Sequence, residues 1–199
     1  VVKNGANLEL YFPQDKDSSF IKDNKLVGKF VVGYIGTLGM AHGLDFIIES
    51  AKELLDQSIH IILMGEGAKK VELQKMISQE RITNVSILDA VPKEKVNSVI
   101  SSIDVSLINL KKSKLFTTVI PSKIFENAAM KKPILLGVEG ESKEIIEQYN
   151  AGICFEPENK KDFIEKLMLL KNNKNLYRKY QKGCLNLAID YDRKKLAND

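Results

Sequence analysis

The stretch Lys29-Phe30-Val31-Val32-Gly33-Tyr34-Ile35-Gly36-Thr37-Leu38-Gly39-Met40-Ala41-His42-Gly43 decides the fold. Its first eight residues are β-rich and almost continuously apolar, the pattern of a strand buried on both faces of a parallel sheet. From Gly43 the period changes. Leu44, Ile47, Ile48, Ala51, Leu54 and Leu55 recur at helical spacing and form one apolar stripe. The intervening loop holds Gly36, Gly39 and Gly43, so backbone amides can approach a ligand without obstruction by Cβ atoms. Its spacing is neither GxGxxG nor a P-loop. Two readings therefore stay open: a phosphate cradle built by Gly36, Thr37, Leu38 and Gly39, or a tight βα connection whose glycines need positive φ.

Outward from this unit the same alternation continues. Strands are expected at 59–64, 85–91, 104–110, 133–138 and 152–155, and helices at 69–80, from Pro92 to about Ser101, at 142–149, 159–172 and 175–188. The helix at 69–80 should turn Val71, Leu73, Met76 and Ile77 inward. Residues 1–28, punctuated by Asn4-Gly5 and Phe12-Pro13, read as a leading segment with little regular structure, and 189–199 as a charged tail. Starting at Val1 without an initiating Met, the chain reads as a piece of a longer protein. Six short apolar strands alternating with amphipathic helices predict an α/β fold, a doubly wound, mainly parallel six-stranded Rossmann-like sheet. Such a sheet binds its ligand beyond the carboxyl ends of its strands. The glycine-rich and anion-seeking features at 36–43, 65–67, 89–92, 120–126 and 137–141 all fall on that edge.

The most informative of them is Ile120-Pro121-Ser122-Lys123-Ile124-Phe125-Glu126-Asn127-Ala128-Ala129-Met130. Pro121 followed by Ser122 as N-cap predicts a helix beginning at about Lys123. A lysine in the first turn opposes the helix dipole unless an anion sits there, held by bare amides, the Ser122 hydroxyl and the Lys123 ammonium. Glu126, one turn on, could accept hydrogen bonds from two sugar hydroxyls. The plain alternative is an exposed Lys123–Glu126 surface pair, which stabilises a helix by only a few tenths of a kcal/mol.

With 199 residues, 44% of them hydrophobic, the chain can bury one substantial core. It has no apolar run near the length of a membrane span and no signal pattern, so a cytoplasmic location is expected, with membrane contact at most peripheral. A net charge of +4, spread over scattered lysines, gives no case for nucleic acid. The clusters at 111–114 and 193–195 read as solvated surface rather than a lipid-binding patch. Cys154 and Cys184 form no CxxC and read as structural thiols. Asp15-Lys16-Asp17 and Asp190-Tyr191-Asp192 have DxD spacing but lie in polar end segments, so they read as solvated acids and no metal site is expected. His60 reads as a structural strand residue. His42 has two readings, a donor of a hydrogen bond to ligand or a cap of the helix that follows.

Taken together, Asn4-Gly5-Ala6-Asn7 with Phe12-Pro13, the run Gly33 to Gly43, Gly65-Glu66-Gly67 and Pro121-Ser122-Lys123-Ile124-Phe125-Glu126 resemble the C-terminal half of GT-B fold glycosyltransferases of family 4, of the bacterial branch that builds capsule and O-antigen sugars. The resemblance implies that residues 1–199 bind the nucleotide-sugar donor, a UDP- or GDP-sugar, with 1–28 following an interdomain linker and 175–199 closing the domain. An N-terminal domain, absent here, would bind a glycan or polyprenyl-linked acceptor, so this piece alone would be inactive as a hexosyltransferase. Position by position, it implies that Gly36, Thr37, Leu38, Gly39 and Gly65 approach the diphosphate and that Ser122 and Lys123 hold phosphate oxygens. It further implies that Glu126 binds the ribose and that the backbone at Ala90 and Val91 meets the base. Lys123, Glu126 and His42 would carry the chemistry, without a metal or other cofactor and with retention of anomeric configuration. The chain departs from the family at three places: Thr37 and His42 stand where many members have Arg and Lys, and Thr118 where many have the Glu that meets the donor sugar. The competing readings are a non-catalytic nucleotide-binding module and a sugar-nucleotide epimerase of related fold.

Overall fold

The computed structural model describes residues 4–197; the outermost residues of the leading segment and of the charged tail, 1–3 and 198–199, lie outside the described residues. Six strands form one sheet, β1 (Phe30–Ile35), β2 (Ile59–Met64), β3 (Val85–Leu88), β4 (Val105–Asn109), β5 (Ile134–Gly137) and β6 (Gly152–Cys154). Their order is β3-β2-β1-β4-β5-β6 and every pairing is parallel. The order reverses between β1 and β4, which places the topological switch point of a doubly wound sheet beside the loop after β1. The expected strands are all present, with 85–91 ending early at Leu88 and 104–110 shortened to Val105–Asn109.

The two-residue period of the strands sorts their side chains onto opposite faces. Val32, Tyr34, Ile61, Leu63, Leu107 and Leu135 enter one core with α2 (Leu44–Ala51) and α7 (Lys160–Asn172). Ile108, Ile134 and Leu136 enter a second core with α5 (Lys123–Ala129), α6 (Glu141–Tyr149) and α8 (Lys174–Asp190). Val31, Ile62 and Met64 extend the same face under α4 (Lys93–Ser102). With both faces covered, the strands need the continuous apolar character that identifies them in the sequence. In α8, the Cys184 thiol donates to the Ala151 carbonyl at 3.0 Å and burial pushes its pKa up.

Several expectations are corrected. The leading segment contains a helix, α1 (Ser18–Asp23), whose N-cap Asp17 accepts from the Ser19 and Phe20 amides, so of the first DxD pair Asp17 is a cap while Asp15 is exposed as expected. Asp192 of the second DxD likewise caps α9 (Arg193–Leu196) by accepting from Lys194 N. The tail is therefore ordered through Ala197, and α8 runs two residues past the predicted end. The stripe after Gly43 stops being an α-helix at Ala51 and continues as a 3-10 turn to Leu54, which leaves Leu55 44% exposed. In α3 (Lys70–Gln79) Leu73 is buried, but Val71 points away from the sheet and is 61% exposed.

Opposite the carboxyl edge, the starts of β1 and β4 are locked together. Asp104 accepts from Val31 N at 2.8 Å and from Lys16 Nζ at 2.6 Å. Lys132 donates to the Ser101 and Ile103 carbonyls, and burial lowers its pKa to about 8.

Candidate functional site

The carboxyl ends of β1, β2 and β3 open onto a cleft of about 330 Å³. Gly36 and Thr37 after β1, Gly65 and Glu66 after β2, and Ala90 and Val91 after β3 line it, over a floor of Ile35, Met64 and Val96. The loops are tied to one another. Gly36 N donates to Met64 O, Gly65 N to Leu88 O, Leu38 N to Glu66 O, and Lys69 N to Leu38 O. Gly36 and Gly65 both take positive φ, 153° and 149°, and a Cβ on Gly65 would overlap the Gly36 carbonyl. The turn reading accounts for these glycines: their amides are spent on the Met64 and Leu88 carbonyls, and the absence of Cβ atoms is what lets the two loops meet at the cleft.

Lys123 opens α5, yet its side chain does not project into solvent. The ammonium lies 4.4 Å from the centre of the Tyr34 ring, a cation–π distance. A Cβ on Gly36 would overlap it. Burial lowers the Lys123 pKa to about 8, with Glu126 pulling the other way. Among the described residues Lys123 forms no salt bridge, so the surface pair with Glu126 is replaced by an unpaired, desolvated cation at the rim of a glycine-lined cleft. The helix has seven residues and its Ser122 N-cap makes no side-chain capping bond, since Ser122 already has helical φ and ψ. Positive charge here rests on the lysine more than on a long helix dipole.

Glu126, one turn along α5, is part-buried. Burial raises its pKa, while Arg193, Lys123 and Lys93 pull it back down. His42 lies in a 3-10 turn, Met40–His42, with its ring edge-on to Tyr34 at 5.7 Å. Its Nδ1 is buried without a partner, and its pKa is lowered by burial and by the charge of Lys123. The capping reading of His42 falls, because the N-cap of α2 is Gly43 and the helix receives no side-chain capping bond. Asn109 at the end of β4 holds the turn by donating to His42 O at 2.8 Å.

Of the residues singled out in the sequence, Gly36, Thr37, Gly65, Ala90 and Val91 share the cleft, with Lys123 and His42 meeting at the Tyr34 ring. Leu38 is a correction: its side chain is fully buried in the core and its amide and carbonyl are both used by the neighbouring loop, so it offers no group to a phosphate. Gly39 stands before the 3-10 turn, its carbonyl taken by His42 N. Ser122 and Thr118 are exposed and neither lines the cleft. His60 is structural as expected, its Nε2 sharing a hydrogen bond of 2.8 Å with Ser86 Oγ. No group of three or more potential metal ligands occurs among the described residues. Tyr34, Asn109 and Arg193 are missing from the sequence-derived set. Tyr34 could have been found from its position two residues before the glycine loop, an aromatic with a polar end in an otherwise aliphatic strand.

The family described as Glycosyl transferases group 1 matches residues 15–184. WcaI of Escherichia coli (strain K12), by name a putative colanic acid biosynthesis glycosyl transferase, is 24% identical over 163 residues, which cover 79% of this chain and 40% of that protein. The chain thus spans less than half of that relative's length. Among solved structures, Anabaena Alr3699/HepE in complex with UDP-glucose superposes with a TM-score of 0.84 at 18% identity, over 100% of this chain and 55% of the other. The C-terminal domain of the group 1 glycosyl transferase LpcC from Francisella tularensis gives a TM-score of 0.74 at 20% identity, over 94% of this chain and 97% of that domain. At these identities the structures show a shared GT-B-type fold. With the family's match running over most of its length, the chain belongs to the Glycosyl transferases group 1 family.

Proposed function

We propose that this chain is the donor-binding domain of a retaining, metal-independent glycosyltransferase of the family 4 type, which moves a hexose-type sugar from UDP or GDP to a glycan or polyprenyl-linked acceptor. The acceptor is held by a second, N-terminal domain, and this domain alone is inactive. One observation carries the reading: a desolvated, unpaired Lys123 ammonium beside Gly36 at the carboxyl edge of β1. An isolated buried cation is unfavourable, and a diphosphate is the ligand chemistry that removes the penalty in a glycosyltransferase cleft. The nucleoside extends from there into the cleft at Gly65, Ala90 and Val91, and Glu126 takes the ribose hydroxyls. The names of WcaI and of the UDP-glucose complex support a nucleotide-sugar donor and a bacterial polysaccharide product of the capsule or O-antigen kind, made at the cytoplasmic side of the membrane.

In the transfer step the acceptor hydroxyl bonds to the anomeric carbon on the face the phosphate leaves, as the bond from that carbon to the terminal phosphate oxygen breaks, and its proton passes to the departing phosphate oxygen. The electron pair leaves on the nucleoside diphosphate. Charge grows on the departing oxygen, so the Lys123 ammonium stabilises the transition state more than the ground state. His42, one ring away, packs edge-on against Tyr34 with its Nδ1 buried, so contact with the sugar or the diphosphate falls to its Nε2.

The test is a thermal-shift titration of the chain with UDP, GDP and their sugars. A ligand at 100 times its dissociation constant adds about 2.7 kcal/mol. Lys123→Ala is expected to remove the shift and Lys161→Ala, at an exposed surface position, to leave it. No shift with any nucleotide sinks the proposal, and turnover of sugar nucleotide without acceptor favours the epimerase reading instead.

A further inference from the structure

Three elements of the candidate site meet at one side chain, Tyr34 of β1. The Lys123 ammonium at the start of α5 lies 4.4 Å from the centre of its ring. The His42 ring of the 3-10 turn stands edge-on to it, with centroids 5.7 Å apart and planes at 68°. The Tyr34 hydroxyl donates to Thr37 O at 2.7 Å and so ties down the loop that lines the cleft. Its side chain is fully buried, in the core that β1 shares with α2 and α7, where close packing fixes the plane of the ring.

A buried tyrosine needs a partner for its hydroxyl, and Thr37 O supplies one; that much is ordinary core packing. The Lys123 contact is not, because a lysine stem is long enough to carry its charge to water. Here it turns inward instead. The ammonium has no hydrogen-bond or salt-bridge partner among the described residues, so the face of the ring is the group that compensates it. Gly36 leaves the space for this: a Cβ there would collide with Lys123 Nζ and lie 3.9 Å from the Tyr34 hydroxyl. Ammonium, hydroxyl and glycine therefore share one corner of the cleft, and a shift of the ring would displace the cation and the loop together. Two titratable groups besides the ring sense the Lys123 charge, Glu126 on its own helix and His42 on the 3-10 turn. Glu126 favours the ammonium, and burial keeps the His42 ring from adding a second positive charge above pH 6.5.

We propose that Tyr34 is a positioning residue of the donor site: its ring face seats the Lys123 ammonium beside Gly36 and its hydroxyl holds the Thr37 loop to the same seat, so that cation and loop meet the diphosphate as one preset unit. The inference rests on the reading above that Lys123 binds the diphosphate. A preset cation spares the ordering cost that a flexible lysine would incur on binding.

The test replaces Tyr34 in the 199-residue chain by phenylalanine and by singly and triply fluorinated phenylalanine, which keep the shape of the ring while fluorine withdraws the π density that attracts a cation. The Lys123 midpoint is read by nitrogen NMR of labelled lysine, its signal identified by its loss in Lys123→Met. Tyr34→Phe should leave that midpoint within a few tenths of a pH unit of wild type, and the triply fluorinated ring should lower it by about one unit, a tenfold change in the ratio of charged to neutral form. Between those two chains UDP affinity should then fall about tenfold at pH 9 and hardly at all at pH 6, where the ammonium is charged in both. Because Tyr34→Phe releases the Thr37 loop, it should bind UDP about fivefold more weakly than wild type at either pH. A folded triply fluorinated chain with the midpoint of its phenylalanine parent overturns the seat, and wild-type UDP affinity in Tyr34→Phe overturns the tie. Where the triply fluorinated chain does not fold, the singly fluorinated one decides, an unmoved midpoint again overturning the proposal. The midpoint needs no nucleotide, so a wild type that binds neither UDP nor GDP sinks the donor-site reading while the seat of Lys123 is still measured.

Discussion

The Lys123 ammonium stands 4.4 Å from the centre of the Tyr34 ring, joining the first turn of α5 to the end of β1 across the switch point of the sheet. Tyr34 is itself fixed, since its hydroxyl donates to Thr37 O at 2.7 Å. The ring offers a cation a weakly favourable face but cannot replace the water that the ammonium has lost.

Removing that cation should therefore stabilise the empty protein while abolishing nucleotide binding. The folded-state pKa of Lys123 is about 8, below the ordinary lysine value of 10.5. The unfolded chain binds more protons between those values, so stability rises with pH through that window and the folded state is penalised below it. At pH 7 the penalty is about 3 kcal/mol as an upper bound, because each tenfold loss of proton affinity on folding corresponds to about 1.4 kcal/mol. Lys123→Met is expected to gain about 1–3 kcal/mol in urea unfolding at pH 7 and progressively less towards pH 10. An equally stable or destabilised variant would contradict the desolvation argument.

Ligand binding should take up a proton. A bound diphosphate returns the Lys123 pKa towards its ordinary value, so at pH 8 to 9 each binding event captures up to one proton, and above the apo pKa affinity falls about tenfold per pH unit. Calorimetry in two buffers of different ionisation enthalpy reads the uptake directly. Heats that are independent of buffer would rule out Lys123 as the phosphate cation.

Two glycine substitutions should separate turn strain from close approach. Gly28 has a φ of 72° with nothing within 4 Å of an added Cβ, so Gly28→Ala costs backbone strain alone, about 1 kcal/mol. Gly65→Ala adds a collision with the Gly36 carbonyl, so its cost should be at least about twice as large and nucleotide binding should be lost with it. Equal denaturation midpoints for the two variants would contradict the loop geometry.

The sheet is legible in the sequence because parallel strands covered on both faces must be apolar throughout; for Ile59–Met64 the expected and observed bounds coincide. What escapes has competing physics. The helix at Ser18–Asp23 is six residues without an apolar stripe, and its only signal, Asp17, looks like any surface acid until it accepts from two amides. Val71 fits the helical period, but solvent rather than sheet lies on its side of α3. In the site, the glycines and Lys123 stand out through backbone and dipole rules that act locally. The contact of Lys123 with Tyr34 and the hydrogen bond from Arg193 Nε to Gly5 O join residues far apart in sequence, which periodicity cannot pair. Leu38 misleads because it lies inside a glycine-rich run, although an aliphatic side chain there is the plug that holds the loop to the core.

Beneath α8, the Cys184 thiol is bonded to the Ala151 carbonyl and sealed from solvent. Thiolates, not thiols, attack alkylating reagents, and burial holds this one in its neutral form. Its labelling rate would count the moments at which the last long helix lifts away from the sheet, so the native sequence already carries a stopwatch for breathing at that edge, no engineered probe required.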